Sequence, residues 1–90
     1  IEESARSFQL TGADLRGQSR SKKTAMARQI AMYLMRNLTN LPLKEIGEEF
    51  GGRNHATVLS SIRKVEELLK SDPEIAATVR DITSNINSKN

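Results

Sequence analysis

The sequence predicts an all-α fold, a small helical bundle that contains a helix-turn-helix. Ninety residues are enough for one domain with a single core. Aromatic residues make up only 3% of the chain and tryptophan is absent, so the core must be built from aliphatic side chains and methionine, which favour helices. The apolar residues also recur at spacings of three and four along most of the chain.

The first ten residues predict the end of a connecting helix or linker, ahead of a DNA-binding domain that spans residues 11–90. From Glu2 to Phe8 the segment is short and polar, with Ala5 and Phe8 as its only apolar anchors. Because so few side chains are available for burial there, we expect the domain proper to begin after residue 10.

Thr11 and Asp14 predict the start of a short second helix. Their spacing is that of a weak capping box, in which each side chain accepts a hydrogen bond from the other residue's backbone. Gly17 suits the end of this helix. The small and basic residues that follow, "GQSRSKK" from residue 17 to 23, predict a loop.

A long helix is predicted from Thr24 to about Asn40. Its apolar residues fall on one face, which we expect to be buried. These core positions are Met26, Ile30, Leu34 and Leu38, with Ala27 and Ala31 beside them.

Two further helices separated by a glycine-containing turn form a helix-turn-helix at about residues 42–70. Pro42 suits the first turn of the first helix, and Gly51 stands where a left-handed cap is needed at its end. Asn54 is a good N-cap for the second helix. The apolar stripes of the pair are Leu43, Ile46 and Phe50, and then Val58, Ile62, Val65 and Leu69. This arrangement is typical of the helix-turn-helix motif.

A closing helix begins at Asp72, which suits the N-cap, and Pro73, which suits the first helical position. Its predicted core face consists of Ile75, Val79, Ile82 and Ile86.

The charge of the chain is unevenly distributed, although its net value is only +3. No Asp or Glu lies between residues 16 and 44, whereas the basic residues of that block are Arg16, Arg20, Lys22, Lys23, Arg28, Arg36 and Lys44. A solvated helix face would account for a short lysine run. A block of this length favours a polyanion such as nucleic acid.

Composition argues against several other classes of protein. The absence of cysteine excludes disulfides and thiolate zinc sites and makes the cytoplasm the default location. The single histidine, His55, is too few for a metal site, and we expect no cofactor in this domain. The glycines at residues 51 and 52 lack the lysine and hydroxyl spacing of a phosphate-binding loop, and no nucleophile and acid accompany His55. We therefore predict neither a catalytic site nor a membrane span.

The first turn of the second motif helix carries the candidate DNA-reading residues. In a helix-turn-helix this turn approaches base edges in the major groove while the first helix crosses the backbone. Asn54, His55, Ala56 and Thr57 are short or planar, and three of them can form hydrogen bonds. Capping alone would explain Asn54, and Ala56 alone needs no function. The group and the basic block together favour groove reading.

The stretch "ARQIAMYLMRNLTNLPLKEIGEEFGGRNHATVLSSIRKVEE" resembles the C-terminal DNA-binding domain of the bacterial replication initiators, the DnaA family. That family carries an Arg-Gln-x-Ala-Met-Tyr-Leu-type helix, then Leu-Thr, Ile-Gly and Phe-Gly-Gly-Arg-Asp-His-Thr-Thr-Val, in this order and spacing. The resemblance covers residues 11–67 and extends more loosely to 86. It implies a Trp-repressor-like bundle that binds the short boxes of a replication origin in duplex DNA, while ATP is bound by a separate domain absent from this chain.

The resemblance also implies a role for particular residues. Arg20 would enter the minor groove, and Asn54, His55 and Ala56 would contact bases in the major groove. Arg53 would either support the turn or contact a phosphate. The remaining phosphate contacts would come from Lys22, Lys23, Arg28, Gln29, Leu43, Lys44, Thr57 and Lys64.

Two residues depart from the family sequence, and we expect them to alter base preference. Asn54 replaces aspartate and Ala56 replaces threonine. Aspartate only accepts hydrogen bonds and suits cytosine, whereas asparagine also donates and pairs well with adenine. The Ala56 methyl group could contact thymine.

Other functions stay open at this point. The same basic face could serve a helical protein-interaction adapter or a non-specific nucleic-acid binder. RNA binding normally needs aromatic stacking, and the few aromatic side chains here suit the core. No sustained heptad pattern predicts a dimer, so the isolated domain is expected to be monomeric. The resemblance further implies that it is nucleoid-associated in the cytoplasm.

Overall fold

The computed structural model of the chain describes residues 1–17 and 21–88, and these form six helices joined by short connections. The helices are α1 Glu2–Ser7, α2 Gly12–Arg16, α3 Lys22–Leu38, α4 Leu43–Glu49, α5 His55–Ser71 and α6 Pro73–Ser88. The predicted all-α bundle is confirmed, and α4 and α5, with the short connection between them, lie where the sequence predicts the helix-turn-helix.

The core lies on both sides of α3, which packs most extensively against α5. One cluster joins the first five helices, α1 to α5, around the fully buried Leu15, Ile46 and Phe50. The other joins α3, α5 and α6 around Ile30 and Ile82. Helices α4 and α5 of the motif are therefore held on a packed scaffold.

Helix α1 packs on this scaffold rather than projecting from it. Its Ala5 is fully buried in the first cluster, and Phe8, just beyond the helix, contacts both clusters. Helices α3 and α6 are the neighbours with which α1 has most contact. The division of the chain at residue 10 stays a prediction.

The predicted helix caps at Thr11 and Asp72 are confirmed. The Asp14 amide donates to Thr11 Oγ1 at 3.2 Å, and the Thr11 amide donates to Asp14 Oδ2 at 2.9 Å. Hydrogen bonding of the Asp14 carboxylate with the Thr11 backbone, and then with the Thr11 side chain, holds the pKa of Asp14 below its ordinary value. At the start of α6, Asp72 Oδ1 accepts from the amide of Glu74 at 3.0 Å.

Helix α3 begins two residues earlier than the sequence predicts, at Lys22 instead of Thr24. The reason is a cap, because Ser21 Oγ accepts from the Thr24 amide at 3.1 Å. Lys22 and Lys23 consequently lie on the first turn of a helix and not in a loop. The helix also ends at Leu38, before the predicted Asn40.

The prediction that Leu38 belongs to the core is wrong. Ile30 and Leu34 are buried and Met26 is partly buried, but the Leu38 side chain is 44% exposed. Leu38 is the last residue of α3 and lines an open apolar groove with Ile1 and other residues. Since the stripe reaches the end of the helix there, neighbouring helices cover it incompletely.

The described helices include none that is both long and apolar enough to cross a membrane.

Candidate nucleic-acid interface

The turn between α4 and α5 is built on two glycines and on one carbonyl of α4. Gly51 and Gly52 have φ values of 80° and 82°, a region that side chains other than glycine rarely adopt. The amides of Gly52 and Arg53 both donate to the carbonyl of Gly47, at 3.1 and 3.0 Å. Phe50, fully buried, anchors the turn to the core. The predicted left-handed conformation at Gly51 is confirmed.

Two close approaches of backbone to backbone fix the position of this turn. A Cβ atom on Gly47 would lie 1.9 Å from the Arg53 carbonyl oxygen, so α4 touches the end of the turn directly. A Cβ atom on Gly51 would lie 2.4 Å from the carbonyl oxygen of Arg16. The turn is therefore pressed against α4 on one side and against the end of α2 on the other.

The first turn of α5 is exposed at every predicted reading position. Asn54 Oδ1 accepts from the amide of Thr57 at 2.9 Å, which confirms the predicted N-cap. The side chains of His55 and Ala56 are exposed, whereas Val58 is fully buried and fixes the next turn in the core. Such an arrangement leaves the start of the helix accessible to a ligand. Contact of these residues with bases stays a prediction.

Arg28, whose contact with a phosphate stays a prediction, is largely buried, with 9% exposure. Its Nε donates to the carbonyl of Leu15 at 2.7 Å, and its Nη2 donates to that of Gly17 at 3.2 Å. Burial, and then repulsion by Arg53, lower the pKa of Arg28 from its ordinary value. Arg28 thus connects α3 to the end of α2, a role that its sequence position did not reveal.

Arg53 supports the turn, one of the two roles that the sequence left open for it. Its Nη1 donates to the carbonyl of Phe50, three residues earlier in the chain. Its Nη2 donates to the carbonyl of Gly17 at 2.7 Å, across 36 positions of sequence. Phosphate contact by Arg53 stays a prediction.

Gly17 supports the candidate interface through contacts that sequence reasoning missed. Its carbonyl accepts from both Arg28 and Arg53, and so brings two of the predicted DNA-contacting residues together. The sequence marks Gly17 only as the end of a helix, and nothing in it indicates that the Gly17 carbonyl accepts from two arginines. Only the folded chain places these partners side by side.

The other predicted phosphate-contacting residues are distributed over three helices. Arg20 lies outside the described residues. The lysines at the starts of α3 and α4 and within α5 are exposed, namely Lys22, Lys23, Lys44 and Lys64. Gln29 and Leu43 are partly buried. Over residues 1–17 and 21–88, no three His, Asp or Glu side chains are grouped so as to hold a metal ion.

Comparison with known proteins gives a consistent result. The family model described as the bacterial dnaA protein helix-turn-helix matches residues 1–65. The chain is 51% identical over 86 residues to the chromosomal replication initiator protein DnaA of Leifsonia xyli, covering 96% of this chain and 18% of that protein. Over 87 residues it is 45% identical to the protein of the same name from Lactiplantibacillus plantarum, covering 97% of this chain and 19% of that protein. The chain therefore spans about a fifth of the length of these relatives.

Proposed function

The chain belongs to the bacterial DnaA helix-turn-helix family, and from this membership we propose that it binds duplex DNA sequence-specifically at the boxes of a replication origin. Membership by itself implies DNA binding in a replication initiator, and it makes the segment a binding module that is not itself catalytic. The observation that carries the proposal of sequence-specific binding is that the first turn of α5 is exposed while the residues on either side of it are buried in the core.

The start of α5 would read bases in the major groove. Phe50 and Val58, both fully buried, flank the segment from the turn to the first helical turn and hold it against the core. The exposed Asn54, His55 and Ala56 would then meet base edges, as the first turn of a recognition helix does in other helix-turn-helix proteins. Each good contact contributes about 1–3 kcal/mol of discrimination between bases.

Basic residues outside this turn would hold the DNA backbone. Exposed lysines on three helices, with Gln29, Leu43 and Thr57, would contact phosphates, and Arg20 would reach the minor groove. Arg28 has little surface left for a phosphate, so its contribution would come mainly through the end of α2, which it supports.

The base preference would differ from the family's usual one at two positions. Asn54 uses its side-chain oxygen to cap α5, and its amide nitrogen supplies donors that an aspartate lacks. Ala56 offers a methyl group where a hydroxyl is usual. We expect relaxed or altered preference at the bases that face these two residues, with recognition carried by Arg20, His55 and DNA shape.

The relatives are named as chromosomal replication initiators, and we extend that context to the protein that contains this segment. Within it, the segment would bind one box as a monomer and deliver a separate ATP-binding domain to the origin. The site of action would be the nucleoid, in the cytoplasm.

Fluorescence anisotropy tests the proposal directly. The isolated domain is titrated against a duplex with the family's consensus box and against a scrambled duplex of equal length, at moderate salt. Binding to the box that is at least tenfold tighter supports sequence-specific recognition. Equal, salt-sensitive binding to both would overturn it and leave a non-specific nucleic-acid binder, and binding to neither would favour a protein-interaction adapter.

A further inference from the structure

The connection between α3 and α4 is held by two side chains at the end of α3. The hydroxyl of Thr39, the C-cap of α3, donates to the carbonyl of Met35 and accepts from the amide of Leu41 at 3.3 Å. Arg36 Nη1 donates to the carbonyl of Leu41 at 2.9 Å. Both backbone polar groups of Leu41 are thus bound by Thr39 and Arg36, and we call this set of contacts the Leu41 clamp.

Helix α4 begins without a side-chain cap of its own. Its N-cap is Pro42, whose side chain has no hydrogen-bonding atom. Leu41 and Leu43, on either side of Pro42, pack against the core cluster around Phe50, but apolar contacts of this kind are non-directional. The Leu41 clamp therefore supplies directional contacts at the point where the chain enters α4.

The other end of α4 is fixed separately. The carbonyl of Gly47 accepts from the amides of Gly52 and Arg53, and the α-carbon of Gly47 lies against the Arg53 carbonyl oxygen. Seven residues give α4 a length of only about 10 Å. Its direction is set by its two ends, because Gly47 joins it to the start of α5 and the Leu41 clamp joins it to α3.

The proposed phosphate contacts of α4 lie at the clamped end. Leu43 and Lys44 are the first two residues of the helix, and Lys44 is exposed. A change in the direction of α4 about its end at Gly47 would therefore move Lys44, while the first turn of α5 would stay in place.

We infer that Thr39 is a positioning residue whose hydroxyl fixes the direction of α4, so that Lys44 meets the DNA backbone while α5 reads the bases. This inference rests on the proposed function. Thr39 acts through the backbone of Leu41, since its hydroxyl already donates and accepts within the protein. Binding energy is gained because the start of α4 need not be ordered when DNA binds.

The first test does not involve DNA. Amide hydrogen exchange is measured residue by residue by NMR in the unaltered domain, in Thr39→Val, which removes the hydroxyl at nearly constant shape, and in Thr39→Ser, which keeps it. The amides to follow are that of Leu41 and that of Ile46, which makes the first backbone hydrogen bond of α4. Exchange at both should be roughly two- to tenfold faster in Thr39→Val and nearly unchanged in Thr39→Ser.

Thr78→Val is the matched control for this experiment. The Thr78 hydroxyl also donates to a carbonyl four residues earlier, that of Glu74 at 2.9 Å, but it does so within α6. Exchange at Leu41 and Ile46 should therefore be the same in Thr78→Val as in the unaltered domain. Unchanged exchange at both amides in Thr39→Val would overturn the inference.

Arg36→Met serves as a second variant if Thr39→Val does not fold by circular dichroism. It removes the other contact of the Leu41 clamp and should accelerate exchange at the same two amides, whereas unchanged exchange would again overturn the inference. Because this substitution also removes a charge, it is used only in the experiment without DNA.

The second test separates positioning from direct contact with DNA. Affinities for the box duplex and the scrambled duplex are measured over a range of salt concentrations for Thr39→Val, Thr39→Ser, Lys44→Ala and the Thr39→Val/Lys44→Ala double variant. Positioning predicts that Thr39→Val weakens binding to both duplexes by roughly tenfold and lowers the salt slope by about one, as Lys44→Ala does. It also predicts that Thr39→Val costs little more in the Lys44→Ala background, since the contact that Thr39 places has already been removed.

Two other patterns would overturn the inference. Additive losses from Thr39→Val and Lys44→Ala, with an unaltered salt slope in Thr39→Val, would show that Thr39 acts independently of Lys44. A loss confined to the box duplex would locate the effect at the bases and not at α4. Should the unaltered domain not prefer the box, the proposed function fails, while amide exchange and the salt slopes on the scrambled duplex still decide whether Thr39 positions Lys44.

Discussion

Asn54 combines a structural role with a proposed reading role, and a pair of substitutions separates them. Its side-chain oxygen caps α5, which aspartate can also do but alanine cannot. We expect Asn54→Ala to lower the free energy of unfolding by about 1 kcal/mol, and Asn54→Asp to leave it within about 0.5 kcal/mol. Urea denaturation of both variants measures this difference.

On DNA, Asn54→Asp should shift the preferred base opposite residue 54 towards cytosine, because a carboxylate only accepts hydrogen bonds. A scan of single-base substitutions in the box measures the shift. An identical base preference in the asparagine and aspartate proteins would show that residue 54 caps the helix and does not read DNA.

His55 and Lys64 should differ in the kind of binding that they support. Both side chains are exposed on α5, so replacing either by alanine should hardly change stability. His55→Ala should weaken binding to the box by about 1–3 kcal/mol more than binding to random DNA. Lys64→Ala should weaken both equally. Titrations of each variant against both duplexes make the comparison, and the same ratio for the two variants would contradict the assigned roles.

At the scale of elements, Gly51 and Gly52 form a matched pair within the turn. Both have positive φ, so alanine at either position carries about 1–2 kcal/mol of backbone strain. A Cβ atom at Gly52 would meet no other atom within 4 Å, whereas one at Gly51 would collide with the backbone oxygen of Arg16. Gly51→Ala should therefore reduce stability by at least about 1 kcal/mol more than Gly52→Ala, as measured by urea denaturation. Equal losses would mean that α2 and the turn are not in firm contact.

The boundaries of the helices could be predicted where a local signal marks them. Thr11, Asn54 and Asp72 cap helices as their chemistry predicts, because an N-cap depends on neighbours within three residues. Ser21 is an equally good cap, but it lies in a run of small and basic residues that resembles a loop. The early start of α3 was therefore missed.

Properties that depend on distant parts of the chain could not be predicted in this way. The burial of Arg28 and the exposure of Leu38 depend on which helices pack around them, and periodicity within one helix does not reveal this. The hydrogen bond between Arg53 and Gly17 joins residues 36 positions apart. The candidate reading residues were identified from the helix-turn-helix motif and the family resemblance. The hydrogen bonds and buried side chains that support them are visible only in the folded structure.

For the molecule as a whole, the basic block should make DNA binding strongly dependent on salt. If about six of the proposed groups neutralise phosphates, affinity should fall by roughly a thousandfold between about 50 and 200 mM salt. Anisotropy titrations at several salt concentrations give the slope directly. A slope corresponding to one or two phosphates would mean that most of the proposed lysines remain in solvent when DNA binds.

The exposure of His55 and Ala56 has a consequence for how such a module can change over evolutionary time. Neither side chain is part of the core, and substitutions at surface positions usually alter stability by less than about 0.5 kcal/mol. New residues at these two positions can therefore be sampled without first acquiring compensating mutations elsewhere. A randomised library at residues 55 and 56 should consist largely of folded proteins, from which variants with new target sites can be selected.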